Sequence, residues 1–160
     1  MLDVVPISKT GFSKLKEELG KLEEELTRVR IDVAAAREQG DLKENGAYIY
    51  GREQQGFIEG QIGELKGKIN RSDIVDCTQI ETDEAAFGTV VTLLDMDTQE
   101  KVTYQLLGPD EADTDTGSIS IESPVGEAIL GLSVGDEVTV TIPRGDRNFK
   151  VVDIARSEIE

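Results

Sequence analysis

Histidine and tryptophan are absent from this chain of 160 residues, and cysteine occurs once. Without histidine, the sequence excludes a histidine general base, a Ser-His-Asp triad, a Cys-His dyad and every zinc site with a histidine ligand. The single cysteine, Cys77, excludes an intrachain disulfide and a four-cysteine metal site, and it fits a reducing compartment. We interpret Cys77 as a small apolar filler. Any chemistry therefore has to come from carboxylates or from a partner.

Long apolar runs and basic residues are also scarce. No stretch of 18 apolar residues occurs, and the first residues lack a basic segment followed by a long apolar one, which predicts a soluble protein without an export signal. Residues 1–75 carry 14 acidic and 12 basic side chains, whereas residues 76–160 carry 19 acidic and 5 basic ones. This acidity argues against binding to naked duplex DNA, and the few aromatic residues argue against a base-stacking platform. The change in composition predicts a boundary between a domain of residues 1–75 and one of residues 82–160.

Apolar residues in the first half repeat with a heptad period, which predicts two long helices. Ser8 is a candidate N-cap for the first helix, predicted over residues 9–39, and Gly40 supplies a stop. A second run with the same period follows after a short connection, so the two helices are predicted to be antiparallel neighbours in a coiled coil. The second helix contains six glycines, each of which costs roughly 1 kcal/mol relative to alanine, so it requires the first helix for stability. The two runs are Phe12, Leu15, Leu19, Leu22, Leu26, Val29, Val33, Ala36 and then Tyr48, Gly51, Gln55, Ile58, Ile62, Leu65, Ile69.

The second half reads as an antiparallel sheet with one short helix, which makes the chain an α+β protein. Strands are predicted over residues 89–94, 101–107, 118–122, 137–142 and 149–154. Between the third and fourth of these, the segment SPVGEAILG offers Ser123 as N-cap, Pro124 at the first helical position and Gly131 as a stop.

Two carboxylates, Asp41 and Glu44, lie in the connection between the predicted helices. Their spacing of three residues places both side chains on one side of the first turn of the second helix. One interpretation is a capping box, in which Asp41 accepts hydrogen bonds from helix N–H groups and Glu44 reaches back to the Asp41 N–H. The other is half of a divalent cation site, because Mg²⁺ takes one or two protein carboxylates and completes its shell with water and phosphate. Such a half-site would act only beside phosphates and a first metal held by another protein.

Three segments of the sequence resemble the GreA/GreB family of bacterial transcript-cleavage elongation factors, and the resemblance covers nearly the whole chain. They are AREQGDLKENGAYIYGREQQGFIEG, FGTVVTLLDMDTQEKVTYQLLGPDEAD and ISIESPVGEAILGLSVGDEVTVTIPRG. The resemblance implies an N-terminal antiparallel coiled coil and a C-terminal domain similar in fold to FKBP-type prolyl isomerases. No isomerase activity is expected, because fold does not fix function.

The resemblance also implies a partner and an activity. The C-terminal domain would dock on bacterial RNA polymerase in the cytoplasm, and the coiled coil would enter the secondary channel, where the 3′ end of backtracked RNA lies. Asp41 and Glu44 match the acidic residues with which the family helps the polymerase to hold a second Mg²⁺ and cleave its own transcript. The factor would thus not be an enzyme itself, would bind no metal tightly alone, and would read no DNA sequence.

Further positions match the family one by one. Arg37 and Arg52 match a basic patch that contacts the extruded RNA, although pairing with Glu38 or Glu53 is the simpler alternative. Tyr48 matches an aromatic residue near the connection, and its position in the heptad also predicts packing between the helices. The helical segment with Ser123, Pro124 and Ile129 resembles the family's docking region, although it could serve only to cover the sheet.

One departure weakens the match. Ala47 stands where family members often have a third acidic residue, and Gly46 replaces a better helix former. Two alternatives therefore stay open at this point: a regulator that occupies the channel without stimulating cleavage, and a coiled-coil interaction module unrelated to transcription. The limited basic surface favours a GreA-like subtype.

Overall fold

The computed structural model describes residues 4–39 and 45–158, which form two compact units. We call residues 13–71 the hairpin unit, and residues 1–12 together with 72–160 the sheet unit. The helices are α1 (Lys9–Glu38), α2 (Gly46–Asn70) and α3 (Pro124–Ile129). The strands are β1 (Val5–Ser8), β2 (Ser72–Val75), β3 (Thr89–Asp95), β4 (Lys101–Leu107), β5 (Ser118–Ser120), β6 (Glu137–Ile142) and β7 (Gly145–Arg156). Across the described residues, no helix is both long and apolar enough to cross a bilayer.

In the hairpin unit, α1 and α2 pack side by side in opposite directions, as the two heptad runs predict. Every heptad position on both helices is buried or half-buried. Contacts between the helices show that they are antiparallel. Val33 of α1 lies against Gly51 of α2, and Arg30, which comes earlier in α1, lies 3.3 Å from Glu59, which comes later in α2. The shared apolar cluster consists of Leu26, Val29, Val33, Ile58 and Ile62. Because burial alternates every three and four residues, the predicted coiled coil is confirmed.

A polar contact at the edge of this seam also joins the two helices. The Glu59 carboxylate accepts a hydrogen bond from Gln55 at 3.0 Å and one from Arg30 of α1 at 3.3 Å. The Gln55 amide, followed by the Arg30 guanidinium, holds the pKa of Glu59 below its usual range. Glu59 is therefore ionised at neutral pH, where it attracts Arg30 across the seam.

The start of α1 agrees with its predicted cap. The Ser8 hydroxyl accepts a hydrogen bond from the Gly11 N–H at 3.0 Å, which satisfies one of the free N–H groups at a helix start. The predicted stop at Gly40 lies outside the described residues; α1 ends two residues earlier, at Glu38.

The sheet unit contains a five-stranded sheet in the order β5-β4-β3-β7-β6. β3 alternates buried and half-buried residues along its whole length, which is typical of a strand with one face on a core. The sequence predicts an antiparallel sheet, and three of the pairings are antiparallel: β3 with β4, β3 with β7, and β6 with β7. β5, in contrast, pairs parallel with β4, so the sheet is mixed. The reason is that residues 108–117 cross over before β5 begins, and the chain returns in the direction of β4.

A second, two-stranded sheet joins the start of the chain to the residues that follow α2. β1 pairs parallel with β2, from Val5 opposite Ser72 to Ser8 opposite Val75. This pairing places residues 1–12 in the sheet unit, whereas the sequence analysis assigned residues 1–75 to the coiled coil and residues 82–160 to the second domain. Two strands of four residues are too short to show a period in the sequence, so their pairing emerges only from the fold.

Cys77 is fully buried in the sheet unit. A side-chain carbon at Gly88 would lie 3.2 Å from the Cys77 sulfur, so the thiol is closely packed against the backbone of Gly88. Burial raises the pKa of the thiol, with smaller contributions from Glu111 and Asp76. Cys77 is thus a neutral thiol in the interior, consistent with its interpretation as a packing residue.

Candidate functional site

Asn45 joins the two ends of the hairpin helices next to their connection. As the N-cap of α2, its side-chain oxygen accepts a hydrogen bond from the Tyr48 N–H at 3.2 Å. Its side-chain nitrogen donates to the carbonyl oxygen of Ala36 in the last turn of α1 at 2.7 Å. One amide therefore satisfies a free donor at the start of α2 and adds a second hydrogen bond to the Ala36 carbonyl oxygen, which also accepts from the Gln39 N–H at 3.2 Å. It fixes the two backbones between which residues 40–44 run.

Asp41 and Glu44, the two predicted metal ligands, lie outside the described residues, so their metal-binding role stays a prediction. The position of Asn45 nevertheless corrects one part of the sequence analysis. α2 begins at Gly46 with Asn45 as its N-cap, whereas the sequence analysis placed the start of the second helix at the acidic pair. The capping position is occupied by Asn45 because an amide can accept from Tyr48 and donate to Ala36, whereas a carboxylate can only accept.

Arg37 and Tyr48 stack across the hairpin beside Asn45. The Arg37 guanidinium carbon lies 5.9 Å from the centre of the Tyr48 ring, a cation–π distance. Tyr48 is half-buried and packs against the hairpin cluster, while Arg37 is exposed. The ring thus supports the guanidinium from one side and leaves its other side open to solvent.

Arg52 is exposed in the second turn of α2. Within residues 4–39 and 45–158, no salt bridge involves Arg37 or Arg52, so the pairing with Glu38 or Glu53 considered from the sequence is not observed. The hairpin end therefore presents two cationic side chains that form no salt bridge with a described carboxylate, and the charge of Arg52 is among the smaller causes that lower the pKa of Glu59. Such groups suit contacts to phosphate.

No group of three or more carboxylate, cysteine or histidine side chains that could hold a metal ion occurs in the described part of the chain. Two carboxylates are hard oxygen donors, which fit Mg²⁺ but leave most of its coordination shell to other groups.

The segment with Ser123, Pro124 and Ile129 forms α3, as predicted. The Ser123 hydroxyl accepts from the Gly126 N–H at 3.1 Å, and Pro124 occupies the first turn. Gly131 follows the helix with a φ of +86°, a conformation that favours glycine. Ile129 is fully buried in the core of the sheet unit, so it cannot contact a partner directly. Leu130, the next residue along the chain, is exposed.

The importance of Asn45 was missed in the sequence, although a signal was present. Asparagine is a preferred N-cap, and Asn45 directly precedes a heptad run. The sequence analysis placed the helix start at Asp41 because Asp41 and Glu44 also fit the spacing of a capping box. The bridge to Ala36 depends on the geometry of two helices and could not be read from local sequence.

We expect Asn45→Ala to lower the free energy of unfolding of the hairpin by about 1–2 kcal/mol, because it removes a cap and a bond between helices. Asn45→Asp is the matched control, since it keeps the acceptor for Tyr48 and loses only the donor to Ala36. Amide hydrogen exchange at Tyr48 and Ile49 measures the effect. Exchange that is equally slow in the alanine variant and the unsubstituted protein would show that Asn45 does not hold the helix ends.

Comparison with known proteins places the two units in one family. The family model described as "Transcription elongation factor, N-terminal" matches residues 5–74, and the model described as "Transcription elongation factor, GreA/GreB, C-term" matches residues 80–156. The chain belongs to the GreA/GreB family. The two matches meet near the change in composition that the sequence shows in the seventies.

Curated relatives agree with the family models. A protein of Desulfotalea psychrophila is 50% identical over 159 residues, and one of Maridesulfovibrio salexigens is 46% identical over 153 residues. Each alignment covers 96% of this chain and 96% of the relative, and both relatives are named "Transcription elongation factor GreA". Among solved structures, the GreA factor homolog 1 of Thermus thermophilus is 30% identical, with 94% of this chain and 98% of that chain covered and a TM-score of 0.45.

Proposed function

We propose that this protein is a transcription elongation factor that binds RNA polymerase and stimulates cleavage of the 3′ end of backtracked RNA. The observation that carries the proposal is the family match across both units, together with near full-length relatives named as elongation factors. These names favour an elongation factor over an unrelated coiled-coil module. In this proposal the polymerase is the catalyst, and the chain supplies groups that complete its site.

The hairpin end supports this role through its charges. Arg37 and Arg52 offer two guanidinium groups near the connection, and Tyr48 holds the first of them in place. Guanidinium groups bind phosphate oxygens with paired hydrogen bonds, and such contacts fix the position of a nucleic acid strand without reading its sequence. In the proposed complex these side chains orient the extruded RNA in the secondary channel.

Asp41 and Glu44 are the proposed metal-holding residues. Mg²⁺, when bound between the two proteins, polarises the phosphodiester and lowers the pKa of a bound water. The chain's own contribution is to bring negative oxygen atoms to a point where the polymerase alone has too few ligands. Asn45 supports this contribution because it fixes the helix backbone immediately after Glu44.

The sheet unit is proposed to dock on the polymerase. Residues 76–160 carry 19 acidic and 5 basic side chains, which complements a basic surface and repels nucleic acid. Exposed apolar side chains at Leu130 and Val134, in the segment that follows α3, offer a contact point. Charge would speed the encounter, and the apolar groups would add affinity.

The proposal is tested with purified bacterial polymerase halted on a template in a backtracked state. We expect the protein to bind the polymerase and to convert the RNA into a shortened transcript plus a short 3′ fragment, after which elongation resumes. Complexes with their RNA 3′ end still in the active site are the control and should stay uncut. Binding that slows elongation without a short product would replace the proposal with a channel-occupying regulator. Failure to bind any polymerase subunit would overturn both.

A further inference from the structure

Asn45 is followed directly by Gly46, and this pair of residue types occurs once in the chain. The other two asparagines, Asn70 and Asn148, precede an arginine and a phenylalanine. The side-chain amide of an asparagine can react with the main-chain nitrogen of the next residue. That nitrogen approaches most freely when the next residue is glycine, which has no side chain and the widest backbone freedom. Asn45 is therefore the asparagine of this chain with the sequence best suited to deamidation.

The structure leaves the attacking nitrogen accessible. Gly46 is the first residue of α2 and is exposed, and a side-chain carbon added to it would meet no other atom within 4 Å. The first four N–H groups of a helix have no carbonyl partner inside that helix. The Gly46 nitrogen is therefore not held by the hydrogen bonds that protect the interior of α2.

The helix cap, in contrast, holds the Asn45 amide away from the reaction. Its oxygen accepts a hydrogen bond from the Tyr48 N–H at 3.2 Å, and its nitrogen donates to the Ala36 carbonyl oxygen at 2.7 Å. Both bonds have to break before the side chain can close a ring onto the Gly46 nitrogen. The end of a helix opens at a much lower free-energy cost than the whole protein. The reaction therefore proceeds from a state in which the first turn of α2 has opened, and the cap limits its rate.

We propose that Asn45 is a site of spontaneous deamidation. The Gly46 nitrogen forms a bond with Cγ of Asn45, and the bond between Cγ and Nδ2 breaks. The proton that the Gly46 nitrogen loses leaves with the Nδ2 group as ammonia, and a five-membered imide remains. Water then opens the imide at either of its two carbonyl carbons, which gives aspartate or isoaspartate at position 45. The net reaction consumes one water, releases one ammonia and changes no oxidation state.

Both products change the hairpin end. Aspartate still accepts from the Tyr48 N–H and is as good an N-cap as asparagine, but it cannot donate to Ala36. Isoaspartate adds one carbon atom to the main chain between positions 45 and 46, which displaces the capping group from the helix. Either product also places a new carboxylate directly after Glu44. If the proposed function holds, isoaspartate lowers the cleavage activity because it alters the chain path from Glu44 into α2.

Peptide mapping of the full chain tests the proposal. The folded protein is incubated in mildly alkaline buffer and digested with trypsin, and mass spectrometry of residues 44–52 measures conversion of the amide to the acid. Labelling with an isoaspartate methyltransferase identifies the rearranged product. We expect Asn45 to convert at least roughly tenfold faster than Asn70 and Asn148, because only Asn45 precedes a glycine. Conversion at Asn45 that is no faster than at the other two asparagines would overturn the proposal.

The same chain unfolded in urea tests the role of the cap. Without the bonds to Tyr48 and Ala36, Asn45 should convert roughly tenfold faster than in the folded protein, because no helix end has to open first. Equal rates in the folded and unfolded chains would show that the cap does not limit the reaction.

Gly46→Ala is the matched variant, since it keeps Asn45 and adds a side chain that meets no other atom. It should slow conversion of Asn45 about tenfold, because alanine restricts the approach of the nitrogen. The cleavage activity of the unsubstituted protein should fall during incubation in proportion to its isoaspartate content, whereas Gly46→Ala should keep its starting activity. Equal conversion in the two proteins would contradict the proposed chemistry. If the fresh unsubstituted protein fails to stimulate cleavage, the proposed function fails, and mass spectrometry still decides whether Asn45 deamidates.

Discussion

Replacing Gly56, Gly60, Gly63 and Gly67 with alanine together is expected to raise the free energy of unfolding of the hairpin unit by roughly 2–4 kcal/mol. A side-chain carbon at each of the four positions meets no other atom within 4 Å. Alanine therefore adds no clash, and it removes the extra backbone freedom that glycine has in the unfolded chain, which is worth about 0.5–1 kcal/mol at each helical position.

Gly51→Ala is the matched control because it makes the same chemical change on the other face of α2. A side-chain carbon at Gly51 would lie 2.8 Å from a methyl carbon of Val33, inside the seam between the helices. We expect this variant to be less stable than the unsubstituted protein, by about 1–3 kcal/mol, as overpacked cores are. The pair of results separates helix propensity from packing.

Thermal unfolding followed by circular dichroism at 222 nm measures both effects, because the long helices dominate the signal. For a unit of this size, each kcal/mol shifts the midpoint by about 4–8 °C, so the fourfold variant should melt at least 8 °C higher. A midpoint equal to or below that of the unsubstituted protein would show that these positions are in contact with another part of the chain.

The heptad period made the hairpin predictable from sequence, because the pattern repeats over many residues and each apolar position has the same role. The glycines of α2 did not hide this period. Gly51 is the one glycine of α2 at a seam position, and the seam still contains the buried apolar residues Ile58, Ile62 and Leu65. The strands of the large sheet were equally accessible, since alternation and turn residues mark them. The parallel pairing of β5 with β4 was not predictable from sequence, because the direction of β5 depends on the path of residues 108–117.

The candidate site was less predictable than the fold. Arg37, Arg52 and Tyr48 were found by matching family positions, and the structure adds that Arg37 stacks on Tyr48. The role of Asn45 depends on Ala36, a partner 9 residues away in sequence and on the other helix. Such contacts produce no periodic pattern in the local sequence. The sequence therefore identifies suitable residue types but does not identify their partners.

The isosteric double variant Asp41→Asn, Glu44→Gln is expected to lower the rate of RNA cleavage roughly hundredfold at a fixed Mg²⁺ concentration, in line with the loss of other electrostatic groups that stabilise a transition state. The amides keep the size of both side chains and their ability to accept hydrogen bonds, and lose only the negative charge that attracts a divalent cation. Binding to polymerase should stay unchanged, because the proposed docking contacts lie in the sheet unit.

Two comparisons make this prediction specific to the metal. Raising the Mg²⁺ concentration should recover part of the lost rate in the double variant, because weaker ligands are compensated by mass action. Glu38→Gln is the matched control, since Glu38 is an exposed carboxylate in the last turn of α1 and is not a proposed ligand. It should cleave at the unsubstituted rate. Equal loss in Glu38→Gln would indicate a general effect of negative charge near the hairpin end, and full activity in the double variant would show that polymerase holds its metals without these carboxylates.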